Sequence, residues 1–373
     1  MIQRYYKISE YVQPGKVLVI YGPRRVGKTT LIQEYIKQTK LKYRLESGEN
    51  IDIQNLLGSN SFEQLDEWVA GYELIIIDEA QYVPNIGQGL KILIDRHPDI
   101  TIVATGSSSF DLANQVGEPL TGRKKTLTLY PIAQEELAMD KNSYNLKKEL
   151  ENYLIFGSYP EVLGLTEKID KIEYLRELVN AALIKDILAL ENIKSSKTLI
   201  DLLKLLAFQI GGEVSHHELA TTLGINTKTV TRYLDLLEKT FIIFPLTPYS
   251  RNLRNEITKK NKYYFYDLGI RNALISQFNS LDSRNDIGGL WENFCIVERR
   301  KYLAHHRDYA NSYFWRLYNG QEIDYLEEKD GKLVGYEYKW KKSEVRPPKD
   351  WLVSYPESTF TVIHQENYLS FMT

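Results

Sequence analysis

Hydrophobic and polar positions fall in alternating blocks over the first third of the chain. Val17-Leu18-Val19-Ile20, Leu74-Ile75-Ile76-Ile77 and Ile100-Thr101-Ile102-Val103-Ala104 are near-continuous apolar runs. Such runs predict strands covered on both faces. Lys42 to Leu45 and Thr126 to Leu129 add two further candidate strands. Between the strands the period changes. From Thr29 onward Leu31, Ile32, Tyr35 and Ile36 fall on one helical stripe. The alternation predicts an α/β class, with a parallel sheet and helices on both faces. From about Pro131 strand signals fade, and amphipathic helices dominate to about Lys239. Leu199, Leu202, Leu203, Leu206 and Ile210 form one apolar stripe there. From Lys262 strand-like, aromatic-rich segments return around one helix between Trp291 and Tyr302.

Composition narrows the class. A chain of 373 residues predicts two or three domains. At 43% hydrophobic and 26% charged it carries material for more than one core, unlike a disordered chain. The formal charge of −2 excludes a globally basic nucleic-acid binder and leaves room for a local basic face. Cys295 is the single cysteine, so an internal disulfide and a cysteine-based zinc site are excluded. No apolar run approaches the roughly 18 residues of a membrane span. Met1 to Ser9 lacks the apolar centre of a signal peptide. The expectation is a cytoplasmic protein with no membrane attachment.

The clearest chemistry lies after the first strand. Gly22, Pro23, Arg24, Arg25, Val26, Gly27, Lys28 and Thr29 match G-x-x-x-x-G-K-[ST], between a predicted strand and a predicted helix. Glycines there let backbone N–H groups turn around phosphate oxygens, and the helix N-terminus adds partial positive charge. Lys28 is placed to neutralise β- and γ-phosphates, and the Thr29 hydroxyl to ligate Mg²⁺. Leu74 to Ile77 then runs into Asp78 and Glu79. Paired carboxylates at a buried strand end need a partner. Asp78 suits the metal through water, and Glu79 suits orientation of an attacking water, which predicts hydrolysis. The Gly-Ser segment Thr105 to Ser109 offers a hydroxyl to sense the γ-phosphate. Arg123, after Leu120-Thr121-Gly122, is either an arginine finger for a neighbouring subunit or a surface arginine. No Asn-Lys-x-Asp guanine signature occurs, so ATP is favoured over GTP.

Two further patterns bear on a second activity. Ser215 to Leu223, the Gly224-Ile225 turn and a helix capped by Asn226 or Thr227 have helix-turn-helix order. Phe241 to Phe244 reads as the strand closing a winged helix. The exposed face carries Lys228, Arg232 and Lys239 together with Asp235 and Glu238, so packing and DNA contact both stay open. Arg251, Arg254, Lys259, Lys260 and Lys262 form the densest basic cluster. At the C-terminal end, Asp330-Gly331 signals a two-residue hairpin between Gln321–Glu328 and Lys332–Lys341. With that turn, Asp324 faces Glu337, and Glu322 faces Lys339. All four share one face. With Glu292 from the preceding helix, the acids can share a Mg²⁺, and Lys339 can polarise a water. This order of helix Glu, strand Asp and strand Glu-x-Lys is that of the PD-(D/E)XK nucleases. A plain charged hairpin is the other reading.

Taken together, these segments resemble prokaryotic AAA-type (AAA+ or STAND-like) ATP-binding proteins with a C-terminal domain of unknown function. The markers also include Thr30-Leu31, Ile77-Asp78-Glu79-Ala80-Gln81, Tyr130-Pro131-Ile132, Phe156-Gly157-Ser158-Tyr159-Pro160-Glu161, Lys185-Asp186-Ile187 and Trp291-Glu292-Asn293-Phe294. Serine replaces one glycine of the Gly-Gly-Tyr-Pro-Glu segment. The resemblance implies a P-loop core over 1–130, a helical lid over 131–195 and a winged helix over 196–250. An α+β restriction-endonuclease-like domain would fill 251–373. ATP and Mg²⁺ are the expected cofactors, a homo-oligomer the expected assembly, and DNA a candidate partner. The main expectation couples ATP hydrolysis to DNA binding or processing. The alternative is a regulatory ATPase switch with a non-catalytic C-terminal interaction module.

Overall fold

The computed structural model describes residues 2–107, 119–183, 196–250 and 260–373. They form two compact units. One comprises 4–130 with 239–241, and the other 1–3, 131–238 and 242–373.

The first unit is built on strands β1 (Val17–Tyr21), β2 (Tyr43–Ser47), β3 (Leu74–Asp78), β4 (Thr101–Gly106) and β5 (Lys124–Thr128). They pair in the order β2-β3-β4-β1-β5, and every pairing is parallel. The apolar runs of the sequence are the three inner strands, and β1 and β4 are buried at every position. The two edge strands carry the polar residues, where one side meets water. Helices α1 (Lys28–Gln38), α2 (Ile51–Gly58), α3 (Phe62–Val69) and α4 (Ile86–Arg96) connect the strands. In α1 the buried stripe is Leu31, Ile32 and Tyr35, while Ile36 is half-buried. This order sets the carboxyl ends of β1, β4 and β3 side by side, with β4 in the middle. Loops there can converge on one ligand.

The second unit begins with helices and ends in a mixed sheet. Its strands are β6 (Ile243–Pro248), β7 (Lys262–Phe265), β8 (Asn311–Arg316), β9 (Glu322–Lys329), β10 (Lys332–Tyr338) and β11 (Thr359–Ile363), in the order β11-β10-β9-β8-β6-β7. β8, β9 and β10 form an antiparallel meander, and β11 joins β10 in parallel. Trp315, Ile323, Leu326 and Trp351 pack on one face of it. The hairpin has the register that its turn dictates. Lys329 pairs with Lys332, and the ladder runs to Tyr325 opposite Tyr336. Asp330 and Gly331 have φ of 52° and 75°, which is what a type I′ turn demands of both central residues.

Three expectations shift here. The strand expected at 241–244 to close a winged helix starts at Ile243 and joins the C-terminal sheet, pairing with both β7 and β8. The sheet therefore crosses the expected boundary at 250/251. The helix expected from Trp291 starts a turn earlier and spans Ile287–His305. Arg251, Arg254 and Lys259 of the basic cluster, like Ser108, Ser109 and Lys185 to Ile187, lie outside the described residues.

The helix-turn-helix order itself is present. Ser196–Phe208 precedes His216–Leu223, which Ser215 caps, and Thr227–Lys239 follows, capped by Asn226. Val230, Tyr233, Leu234, Leu236 and Leu237 are buried on the last helix, while Lys228, Arg232 and Asp235 are exposed. A short helix, Leu268–Leu274, ties this unit together by serving helix ends that lack backbone partners. Asn272 donates to the carbonyls of Leu154 and Ile155, and Arg271 to that of Ala207. Buried Asp267 accepts from the Ser158 N–H at 2.7 Å and from Ile270 N–H at 3.1 Å. The Phe156 to Glu161 marker thus has a structural reason, because its turn feeds a buried carboxylate. Burial pushes that carboxyl up to about 6, against the pull of the Ser158 N–H.

Candidate functional site

The glycine-punctuated loop lies between β1 and α1. Three of its residues have positive φ: Gly22 (152°), Arg25 (62°) and Gly27 (97°). At Gly22 the loop passes so close to β5 that a Cβ would lie 2.1 Å from the Leu129 carbonyl oxygen. Only glycine fits there. Lys28 is buried, and its ammonium donates to the carbonyls of Gly22 (2.8 Å) and Pro23 (3.1 Å). Arg24 leaves the loop toward Tyr82, whose hydroxyl it meets at 2.5 Å. Arg4, before the first strand, bridges the loop from below. Its guanidinium donates to Val26 O at 2.8 Å and to Tyr130 O at 2.7 Å. Sequence reading passed over Arg4, because one arginine near a chain start carries no pattern. Thr29 and Thr30 occupy the first turn of α1.

The acidic half of the site lies at the ends of β3 and β4. Thr29 Oγ1 donates to Asp78 Oδ2 at 2.8 Å. Thr105, fully buried at the end of β4, donates to Asp78 Oδ1 and accepts the Glu79 N–H at 3.1 Å. Glu79 has left-handed backbone, φ 52° and ψ 43°, a strained conformation for a non-glycine residue. Its carboxylate accepts from Gln81, whose amide also reaches Ser107 Oγ at 3.1 Å. Hydroxyl and carboxylate oxygens side by side are the hard donors that Mg²⁺ takes. The loop, Lys28, Thr29, Asp78 and Glu79 are thus brought together by adjacent strand ends. Arg123 stands apart from them, 42% exposed, with its guanidinium 2.8 Å from Asp95.

The C-terminal cluster differs from the expected arrangement. Asp324 and Glu337 lie one position past the last paired rung, and Asp324 Oδ2 accepts the Tyr338 N–H at 2.8 Å. Glu322 does not meet Lys339. It pairs with Lys262, whose ammonium is 2.5 Å from Glu322 Oε1 and 3.1 Å from Glu292 Oε1. Lys262 is 2% exposed, so this member of the expected basic face is an interior cation. Tyr264 donates to the same Glu292 oxygen at 2.5 Å. Lys339 turns to Glu337 at 2.7 Å. Burial pushes the Glu292 carboxyl up to about 7 against the pull of Lys262, and raises Asp324 and Glu337 as well. Burial works against the Lys262 charge, yet Glu292 and Glu322 hold its pKa above the ordinary lysine value. Among the described residues no three His, Cys, Asp or Glu gather closely enough to hold a metal ion. In this arrangement Glu292 and Glu322 meet the Lys262 ammonium, while Asp324 and Glu337 are held by the Tyr338 N–H and Lys339.

Comparison with known proteins finds one similarity in the first unit. Residues 14–138 match a family model described as an AAA domain, which supports an AAA-type ATPase reading of this segment. Residues 147–281 and 287–351 match two models described as domains of unknown function (DUF8612 and DUF4143). An uncharacterized protein of Mycobacterium tuberculosis is 25% identical over 337 residues, covering 89% of this chain and 72% of its own. One of Haemophilus influenzae is 26% identical over 293 residues, covering 73% and 72%. Among solved structures, a Signal Transduction ATPase with Numerous Domains from Pyrococcus horikoshii, with a tetratricopeptide repeat sensor, aligns with 83% of this chain. The alignment spans 48% of that protein, about half its length, at 15% identity and a TM-score of 0.31. No described helix is long and apolar enough to cross a membrane.

Proposed function

We propose that the protein is an ATP-hydrolysing, Mg²⁺-dependent switch whose C-terminal domain is an interaction module rather than a nuclease. The observation that carries the first part is the Thr29–Asp78–Thr105–Glu79 chain at three adjacent strand ends. Residues 22–30 cradle the phosphates with backbone N–H groups. Lys28 exchanges its two carbonyl partners for β- and γ-phosphate oxygens. Thr29 and Asp78 would hold Mg²⁺, which would supply charge neutralisation for the phosphates. Glu79 leaves Gln81 to orient the attacking water. Arg123 reaches the phosphate of a neighbouring copy, after release from Asp95, in a homo-oligomer.

Lys28→Ala should abolish nucleotide binding, whereas Glu79→Gln should bind ATP and stop turnover. Full turnover in Glu79→Gln would sink the catalytic assignment. The second part rests on Lys262 within the carboxylate cluster. A DNA-coupled reading keeps one observation in its favour. Lys341, Lys342, Arg346 and Lys349 are all exposed on the C-terminal segment. Binding through them would be contact with phosphates, and it would weaken steeply with salt. Titrating labelled duplex and single-stranded DNA, with and without ATP, separates the two. A mass change driven by ATP with no DNA bound supports the switch.

A further inference from the structure

We infer that Lys262 is the resident cation of the C-terminal carboxylate cluster and keeps that cluster free of metal. The inference deepens the non-catalytic reading of that domain and is independent of ATP hydrolysis.

The cluster holds four acids, and each has an oxygen engaged by a protein donor. Glu322 and Glu292 accept from Lys262, Glu292 also from Tyr264, Asp324 from the Tyr338 N–H, and Glu337 from Lys339. A divalent ion needs carboxylate oxygens at about 2.0–2.6 Å. It would have to share Glu292 with an ammonium 3.1 Å from the same side chain. Two cations sharing one carboxylate in a buried setting repel each other. Nor is Lys262 a loose surface side chain that a metal can push aside. Its backbone pairs with Leu246 of β6 and bridges to Glu213, so the stem enters the cluster from a fixed strand. Its ammonium lies over the Phe314 ring, with Nζ 5.3 Å from the centroid. An ammonium has no orbital to accept a phosphate oxygen or to acidify a water. The site it fills therefore lacks the Lewis acid that phosphodiester cleavage by this arrangement requires.

The test uses the full chain carrying Thr29→Ala and Asp78→Asn, which removes the other metal donors. Mn²⁺ is added without nucleotide, and the free ion is counted by electron paramagnetic resonance. The expected result is no stoichiometric Mn²⁺ in this background. Adding Lys262→Met should create a site for one equivalent, and adding Asp324→Asn should remove it again. The inference is overturned if the background binds one equivalent that Asp324→Asn abolishes while Lys262 is in place. It is equally overturned if a folded Lys262→Met chain gains none. Should Lys262→Met fail to fold, the background with and without Asp324→Asn decides alone. Neither result bears on turnover by Glu79.

Discussion

Thr105→Val tests how the acidic pair of the ATPase site is held. The Thr105 hydroxyl is the joint between the two acids, donating to the Asp78 carboxylate and accepting the Glu79 N–H at 3.1 Å. Valine has nearly the same shape and no hydroxyl, so the change removes both bonds without opening a cavity. A hydrogen bond to a charged group contributes about 1.5–3 kcal/mol, and an amide left unpaired in the interior costs about 1–3 kcal/mol. Thr29 still holds the other Asp78 oxygen at 2.8 Å, and Gln81 still holds Glu79. The net loss should therefore sit near the low end, about 2–3 kcal/mol. If about half of it is felt in the transition state, kcat falls about tenfold. The affinity for ATP should change by less than about threefold, because phosphate binding falls to the loop and Lys28. Phosphate release under steady state gives kcat, and a fluorescent nucleotide gives the affinity. Unchanged kcat in a folded variant would refute the reasoning. So would loss of nucleotide binding with normal turnover at saturation.

Other substitutions follow from the same geometry. Gly22→Ala puts a methyl 2.1 Å from the Leu129 carbonyl oxygen and should cost about 3 kcal/mol, with nucleotide binding lost. Calorimetric melting and nucleotide titration check both. Arg4→Met removes two charge-assisted bonds to Val26 and Tyr130 and should weaken ATP binding about tenfold, with a smaller effect on kcat. Equal losses in both would argue against a role in shaping the loop. Asp267 sets a pH dependence. Its carboxyl is raised from 3.8 to about 6, so the folded state holds the proton more tightly than the unfolded one. The stabilising contribution is full below about pH 4 and is lost as pH rises through about 6, about 3 kcal/mol in all. In denaturant melts the stability difference between wild type and Asp267→Asn should shift by that amount across this window. A constant difference would refute it.

What the sequence made legible was whatever its covalent spacing determines. The loop from Gly22 to Thr29 is one continuous turn, so its motif and context suffice. The hairpin register followed from two residues, because Asp330-Gly331 selects the turn and the turn selects every pair after it. The inner strands of the parallel sheet were legible because burial on both faces leaves few polar positions in them, and those few lie at strand ends. Features set by distant pairing were not legible. Lys262 reads as one more cation in a basic stretch until β7 pairs with β6 and brings it to Glu292 and Glu322. Phe241 to Phe244 reads as the end of a local motif, since no local pattern reveals that β6 also pairs with β8, some 65 residues on. Gln81 and Arg4 act through single side chains, one on Glu79 and Ser107 and the other on two carbonyls, and neither leaves a periodic trace.

The two acidic sites look alike in sequence and differ in the chemistry of their partners. Asp78 is held by two hydroxyls, from Thr29 and Thr105. A hydroxyl carries one donor and two lone pairs, so Thr29 can rotate and offer an oxygen to a metal that takes its place on Asp78. The switch from hydrogen-bonded to metal-bound thus needs no charge to leave the site. Glu292 and Glu322 are held by an ammonium, which has three donors and no lone pair to offer. Admitting a metal there means expelling a buried cation from a fixed strand. On the proposed function, the first site can therefore exchange its partners for nucleotide and Mg²⁺ without losing a charge. On the inference above, the second keeps Lys262 on Glu292 and Glu322 whatever the metal concentration.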